Sequence, residues 1–205
     1  MKNPSSFYDE KYIHGYMRHM RDGDTTLSRW EDNGLFFEAA VTTSKLADKL
    51  GRPAIVDIGC GRGFIIRHLR NLGHIADGYE YGDAALKDSV CGAKFCDLTA
   101  KLPIPDGAYG LGVCTGVLSH VPEESVPNAL SELRRIVYSK GLLFINVLNH
   151  YTPMQSHHRT FKPNEWWKDR FAKARWLYAS EHDEFLKSRG CNTSPGIWAA
   201  VFEAV

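Results

Sequence analysis

The sequence predicts an α/β protein in which a mostly parallel sheet carries helices on both faces. Two observations lead there. From residue 54 onward, β-branched and apolar runs alternate with helix-like segments, the order expected of a parallel sheet. The inner runs are also continuously apolar rather than alternating, as in strands covered on both sides.

The elements follow in order. "AIVDIG" (54–59) lies between Pro53 and Gly59 and reads as a buried strand. "FIIRHLRNLG" (64–73) has apolar residues at 65, 66, 69 and 72 and Gly73 as a stop, which predicts a helix. "HIADGYEYG" (74–82) is a second strand, and "DAALKDSV" (83–90) a short helix that Asp83 can cap. "AKFCDL" (93–98) and "YGLGVCTG" (109–116) give the third and fourth strands. "VPNALSELRRIVYSKG" (126–141) predicts an amphipathic helix, with Leu130, Leu133, Ile136 and Val137 on one face, Pro127 in its first turn and Gly141 at its end. "LLFINVLN" (142–149) is a fifth strand. "PNEWWKDRFAKA" (163–174) reads as a helix, and "RWLYAS" (175–180) with "IWAAVFEAV" (197–205) as two strands of a long-looped hairpin. Residues 1–50 look helical and aromatic-rich. There is no repeat, low-complexity tract or linker, so one domain is expected over 1–205, with a cofactor-binding core at 54–150.

Composition narrows the function. The 205 residues hold 25 basic and 24 acidic side chains, a net charge of +1, unlike the footprint of a general nucleic-acid binder. A local patch is compatible with such a sum. The five cysteines, at 60, 91, 96, 114 and 191, form no C-x-x-C pair. They predict neither a zinc ribbon nor a disulfide framework, and point to a reducing compartment, the cytoplasm. The N-terminus lacks the apolar stretch of a signal peptide, and no run approaches the ~20 apolar residues of a membrane helix.

Ligands of such sheets bind beyond the carboxyl ends of the strands. There "VDIGCGRG" (56–63) places Gly59, Gly61 and Gly63 between the first strand and the first helix. Such glycines let a ligand approach the backbone beside the free N–H groups of a helix start. A dinucleotide fingerprint needs Gly or Ala where Phe64 stands, and no G-K-S/T follows for a P-loop. Asp57 beside the turn would repel a pyrophosphate and suits a ligand with an amine and a positive centre.

"VDIGCGRG" resembles motif I of class I S-adenosylmethionine-dependent methyltransferases, of the type 11/12-like, small-molecule group. "GYE", "FCDL" and "LPIPDGAYGLGVCTGVLSHVPEE" (102–124) resemble three further motifs of that family, in the right order. The resemblance covers roughly residues 54–150. It implies a single Rossmann-like domain with a seven-stranded sheet whose last strand is antiparallel. It also implies S-adenosyl-L-methionine as cofactor, S-adenosyl-L-homocysteine as product, and a set of contacts. Asp57, Gly59, Cys60, Gly61 and Gly63 form the cofactor turn. Glu80 holds the ribose hydroxyls with Tyr81 beside it, Asp97 and Leu98 meet the adenine, and Thr115 lies at the end of the fourth strand. Two positions depart from the pattern: Gly110 replaces the usual aspartate, and Gly82 a serine.

Plainer readings stand beside these. The glycines can be turn residues, Glu80 a solvated carboxylate, and Asp97 the cap of a turn before "LTAKLP". His120, in "VLSHVP", is either a structural histidine or a general base facing the methyl group. The stretch "NHYTPMQSHHRTFKPNEWW" (149–167) follows the fifth strand, where loops bind substrate. It offers His150, His157, His158 and Arg159, and it resembles an "H…K-P-x-x-W-W" stretch of some bacterial and phage-encoded methyltransferases associated with glycan modification. Its Trp166 and Trp167 also suit packing of a helix onto the sheet. The histidines lack an acidic ligand cluster, so no metal is expected. Tyr8, Tyr12 and Tyr16 recur at helical spacing, either as a packed face or as a lid in which Tyr12 and Tyr16 touch the cofactor.

The resulting expectation is methyl transfer by direct displacement to a small-molecule or sugar-like acceptor. The sequence lacks D/N-P-P-Y/F, and no proline precedes a reactive cysteine, so no DNA-base motif is present. A protein or RNA acceptor, a nucleotide-dependent oxidoreductase disfavoured by Phe64, and a non-catalytic binding module are the alternatives. Oligomeric state is not legible.

Overall fold

A computed structural model describes residues 34–149, 158–192 and 196–205. Its strands are β1 Ile55–Ile58, β2 Ala76–Glu80, β3 Lys94–Phe95, β4 Tyr109–Thr115, β5 Val137–Leu148, β6 Trp176–Tyr178 and β7 Ile197–Ala204. Its helices are α1 Gly34–Lys49, α2 Phe64–Asn71, α3 Asp83–Lys87, α4 Val126–Ile136, α5 Asn164–Lys173 and α6 Asp183–Ser188. The strands form one seven-stranded sheet in the order β3-β2-β1-β4-β5-β7-β6. Pairing is parallel from β3 through β5, and β7 runs antiparallel to both β5 and β6.

The continuous apolar runs are explained by two cores, one per face. Val56 and Ile58 point into a core closed by α4 and α5, where Leu130, Leu133, Trp167 and Phe171 are fully buried. Ile55 points the other way, into a core closed by α1, α2 and α6 through Leu46, Ile66, Leu69 and Leu186. Successive strand residues alternate faces, so Asp57 lies on the side of Ile55, beneath α2. Trp167 serves the core, the packing role read for one of the two tryptophans. Trp166 is half-buried, with Lys162 and Arg170 over its ring.

Three local expectations are corrected. The helix read over 126–141 stops at Ile136, and Val137 already pairs with Tyr109 in the sheet. The β-branched Val137 leaves the helix, and the Arg134 guanidinium bonds its carbonyl oxygen at 2.8 Å. Gly141 therefore serves a strand irregularity, not a helix end. A Cβ there would lie 2.6 Å from Val137 Cγ1 and 2.8 Å from the Gly110 oxygen. Asp83 is the first helical residue of α3, not its cap; Gly82 holds that position. The loop between β6 and β7 contains α6, a helix too short to announce itself by periodicity. Gly110 also gains a reason. A Cβ there would meet Pro53 Cβ at 2.5 Å and the Tyr138 hydroxyl at 2.1 Å, so the local packing excludes the family's aspartate.

The chain runs outward from β1 to β3 and returns to β4 beside β1. This reversal opens a crevice at the carboxyl ends of β1 and β4, the place where such sheets take ligands. Among the described residues no helix is long and apolar enough to cross a membrane.

Candidate active site

The crevice is floored by the turn between β1 and α2. All three glycines have left-handed backbones, with φ of 79° at Gly59, 56° at Gly61 and 85° at Gly63. Their surroundings differ. A Cβ on Gly59 would sit 2.2 Å from Val117 Cγ2, and one on Gly63 would sit 2.1 Å from Cys91 Sγ. Around Gly61 a Cβ would meet nothing within 4 Å. Gly59 thus brings the ends of β1 and β4 together, Gly63 seats α2 on the loop after α3, and Gly61 presents bare backbone to open space.

Glu80, at the end of β2, ties this turn down. One carboxylate oxygen accepts the Gly61 N–H at 2.7 Å; the other accepts those of Tyr81 at 2.8 Å and Gly82 at 2.7 Å. The carboxylate is thus no idle surface charge. The Cys60 and Gly59 N–H groups both reach the Tyr79 carbonyl. Below the turn, Asp57 is 1% exposed, and its Oδ2 is buried with no hydrogen-bond partner among the described residues. Burial pushes its carboxyl up to about 8, assisted by the charges of Glu80 and Cys91.

At the β3 side, Asp97 Oδ1 accepts the Thr99 N–H at 2.8 Å and hydroxyl at 2.7 Å, so it does cap its turn; Oδ2 makes neither of these bonds. The Leu98 side chain is spent in the core. The Tyr81 ring lies 5.9 Å from that of Phe95. Burial raises its phenol, the Asp97 and Asp83 carboxylates add to this, and Arg159 opposes it.

On the opposite side, Thr115 ends β4 half-buried and pairs with Asn146 of β5, whose side-chain oxygen accepts the Gly116 N–H at 2.5 Å. His120 closes a short turn, Leu118–His120, and its ring lies 3.9 Å from that of His158 at 31°. The Ser119 carbonyl accepts the Arg159 and Thr160 N–H groups at 2.7 and 3.0 Å, and Thr160 Oγ1 donates to the Val121 carbonyl at 2.7 Å. The segments after β4 and β5 are thereby stitched into one wall. Tyr8, Tyr12, Tyr16, His150 and His157 lie outside the described residues. Among the described residues no group of three His, Cys, Asp or Glu side chains is placed to hold a metal ion.

Residues 56–145 match the family described as "Methyltransferase domain". They span the glycine turn, Glu80, Asp97 and the wall after β4. The matched stretch is similar to the methyltransferase domain of class I S-adenosylmethionine-dependent enzymes. Similar structures share its fold. They include the magnesium protoporphyrin IX methyltransferase of Synechocystis PCC 6803 with bound S-adenosylhomocysteine, at TM-score 0.69 and 13% identity over 98% of each chain. The CcbJ methyltransferase of Streptomyces caelestis gives TM-score 0.64 and 13% identity over 83% of this chain and 89% of that one. A chain in the complex of the Haloferax volcanii Trm112 methyltransferase activator with a methyltransferase gives 0.59 and 18%, over 86% and 96%. An uncharacterized protein of Methanocaldococcus jannaschii is 28% identical over 153 residues, and the match covers 73% of this chain and 62% of that relative's length.

The three glycines of this turn make separable predictions. Gly61→Ala meets open space, so it should fold at a strain of about 1–2 kcal/mol while crowding the cofactor face. Gly63→Ala adds a collision with Cys91 and should lose roughly 2–4 kcal/mol of stability. Thermal melts and cofactor calorimetry on both variants check this. Equal melting temperatures would contradict the division of roles.

Proposed function

We propose that this chain transfers the methyl group of S-adenosylmethionine to a small polar acceptor, a sugar-like ring or another small molecule. The cofactor face fits the donor set at hand: open backbone at Gly61, a carboxylate at Glu80, and a buried acid at Asp57 whose orphaned oxygen favours positive charge nearby. Gly61 would face the cofactor with Cys60 beside it, Asp97 and the Leu98 backbone would meet the adenine with Tyr81 flanking, and Thr115 would border the donor side. A carboxylate has about four acceptor positions. Three of Glu80's are taken by backbone N–H groups, which leaves room for one ribose hydroxyl rather than two. Asp57 would act from beneath the turn through its charge.

The bound cofactor supplies an electrophilic methyl group on a good leaving group. The chain's task is to hold an acceptor in line with it and keep water out, positioning worth several kcal/mol of barrier. The observation that carries the acceptor reading is the close contact of the His120 and His158 rings in the wall after β4 and β5. The pair would present imidazoles to the second substrate, and His120 would accept a hydroxyl proton. His150, His157 and Arg159 would extend this wall. We also assign to Tyr12 and Tyr16, which lie outside the described residues, a role in closing over the cofactor; α1, within the same first 50 residues, packs in the core instead.

Two measurements test the reading. Methyl-labelled S-adenosylmethionine is incubated with the protein and with separated low-mass, RNA and protein fractions of a cell extract. Label in the low-mass fraction is expected; label confined to RNA or protein would replace the acceptor class. On the acceptor so found, His120→Ala should lower kcat by roughly 10²-fold with cofactor affinity held within about twofold. His158→Ala should shift the same balance less. A variant that loses affinity and kcat together would show that the wall is structural.

A further inference from the structure

Cys60 sits inside the glycine turn, between Gly59 and Gly61, and is half-buried. Cys91 lies 31 residues later in the loop leading from α3 to β3. The fold brings the two thiols to one spot beside the sheet, where Cys60 Sγ lies 3.6 Å from the Gly61 carbonyl oxygen and Cys91 Sγ lies 3.6 Å from Ser89 Oγ. Both flank Gly78 of β2. A Cβ at that glycine would lie 2.8 Å from Cys60 Sγ and 3.1 Å from Cys91 Sγ, so the missing side chain makes the space in which the sulfurs meet. Gly63 does the same from the other side, its Cβ position lying 2.1 Å from Cys91 Sγ. The loop carrying Cys91 is held firmly. Arg70 donates to the Cys91 carbonyl at 2.7 Å, and Ser89 Oγ accepts the Ala93 N–H at 2.9 Å. Val90 N–H donates to the Arg62 carbonyl at 2.8 Å, joining that loop to the glycine turn.

We propose that Cys60 and Cys91 form a reversible disulfide that locks the glycine turn and weakens cofactor binding, so that oxidant level sets the activity of the domain. The consequence for binding rests on the cofactor reading above; the disulfide itself does not. Hydrogen peroxide is the oxidant. The Cys91 thiolate attacks one peroxide oxygen, breaks the O–O bond and releases hydroxide, leaving a sulfenic acid. The Cys60 thiol then attacks the sulfenic sulfur, and its proton leaves with the departing hydroxyl as water. With the proton that Cys91 gave up, two thiols and one peroxide yield one disulfide and two waters. The sulfurs lose two electrons and the peroxide gains them. The attacking role suits Cys91, whose thiol is lowered to about 6 by the neighbouring Cys60 thiol, by Ser89 and by the Arg70 charge, against the effect of burial. Cys60 is raised by its Cys91 neighbour and by burial, so it stays protonated until its proton passes to the sulfenic hydroxyl as that group leaves.

A disulfide closes the sulfurs to about 2.05 Å, well inside the contact distance of two thiols. The loop is anchored by Arg70 and Ser89, so the turn must move. That turn holds the Gly61 backbone at the cofactor face.

The experiment treats reduced full-length protein with one to three equivalents of hydrogen peroxide. Intact mass, peptide mapping and calorimetry with S-adenosylhomocysteine follow. A loss of two hydrogens, a single 60–91 cross-link and an affinity at least about tenfold lower, all reversed by dithiothreitol, are expected. Cys91→Ala should bind the ligand alike before and after peroxide. Absence of the 60–91 cross-link, or a cross-link with unchanged affinity, overturns the proposal. If reduced protein fails to bind S-adenosylhomocysteine, the cofactor reading is what fails, and the peptide map still decides whether the thiols pair.

Discussion

Asn in place of Asp57 should raise the melting temperature of the cofactor-free protein at pH 8 while weakening its hold on the cofactor. The Asp57 carboxyl titrates at about 8 in the folded chain against an ordinary 3.8, chiefly because it is buried. Between these values the unfolded chain has released its proton and the folded chain has kept it. The unfolded state then binds fewer protons, so stability falls as pH rises, by up to about 1.4 kcal/mol per unit. The loss begins near pH 4 and is complete above about pH 8, where both states are ionised. An amide carries no such charge, so the Asp57→Asn melting temperature should separate upward from wild type through this window. At pH 8 the gap should reach about 5 °C or more, since 1 kcal/mol shifts a chain of this size by roughly 2–4 °C. Binding should show the opposite sign. Positive charge over the turn favours the ionised form of Asp57, so wild-type affinity should rise from pH 6 to 8 as a proton is expelled. The variant should bind at least roughly tenfold more weakly at pH 8 and show a flatter profile. Melting curves over pH 5–9 and calorimetry in two buffers of different ionisation enthalpy measure both. Parallel melting profiles for the two proteins would show that Asp57 is ionised in the folded state.

That carboxyl illustrates what the sequence made legible and what it did not. Asp57, the glycines and Glu80 stand out because their chemistry is local: a strand end, a turn and a helix start within eight residues, followed by an acid at the next strand end. The parallel sheet was legible for a similar reason, since both faces of β1, β4 and the second half of β5 are buried and these stretches read as largely apolar runs. Burial of the Asp57 carboxyl, in contrast, depends on α2 and on the Cys91 loop, which meet it only in three dimensions. The end of α4 was misread because Val137 fits the helical apolar stripe as well as it fits a strand; pairing with Tyr109 decides the matter. Asn146 was missed because an amide in a buried apolar run has no spacing signature. Its role appears only where β4 and β5 pair, with the Gly116 N–H on its side-chain oxygen. The stitching of Arg159 and Thr160 to Ser119 joins residues 40 and 41 positions apart. His120 and His158 were each singled out, but their stacking was beyond reach of spacing rules.

Glu80→Ala should reduce cofactor affinity by more than the loss of a ribose contact alone. Its two oxygens hold the N–H groups of Gly61, Tyr81 and Gly82, so one side chain fastens the glycine turn to the end of β2. Hydrogen bonds to a charged group are each worth about 1.5–3 kcal/mol when left intact. The substitution leaves the Gly61 N–H without its acceptor, and Gly61 has a left-handed backbone with no side-chain packing of its own to hold it. The turn then loses its shape where a ligand meets it, and a ribose hydroxyl loses its acceptor as well. Together these predict an affinity loss of at least roughly 10²-fold. The melting temperature should fall by a few degrees, because Gly59 and Gly63 remain clamped by Val117 and Cys91. Glu80→Gln separates the two roles. Its carbonyl oxygen can keep some of the N–H groups, but its amide cannot accept the rest. It should therefore melt between wild type and alanine and bind cofactor more weakly than wild type. Calorimetry with S-adenosylmethionine and S-adenosylhomocysteine, beside thermal melts of all three proteins, measures the split. Wild-type affinity in a folded Glu80→Ala protein would remove Glu80 from the site and leave the turn to be held by its packing alone.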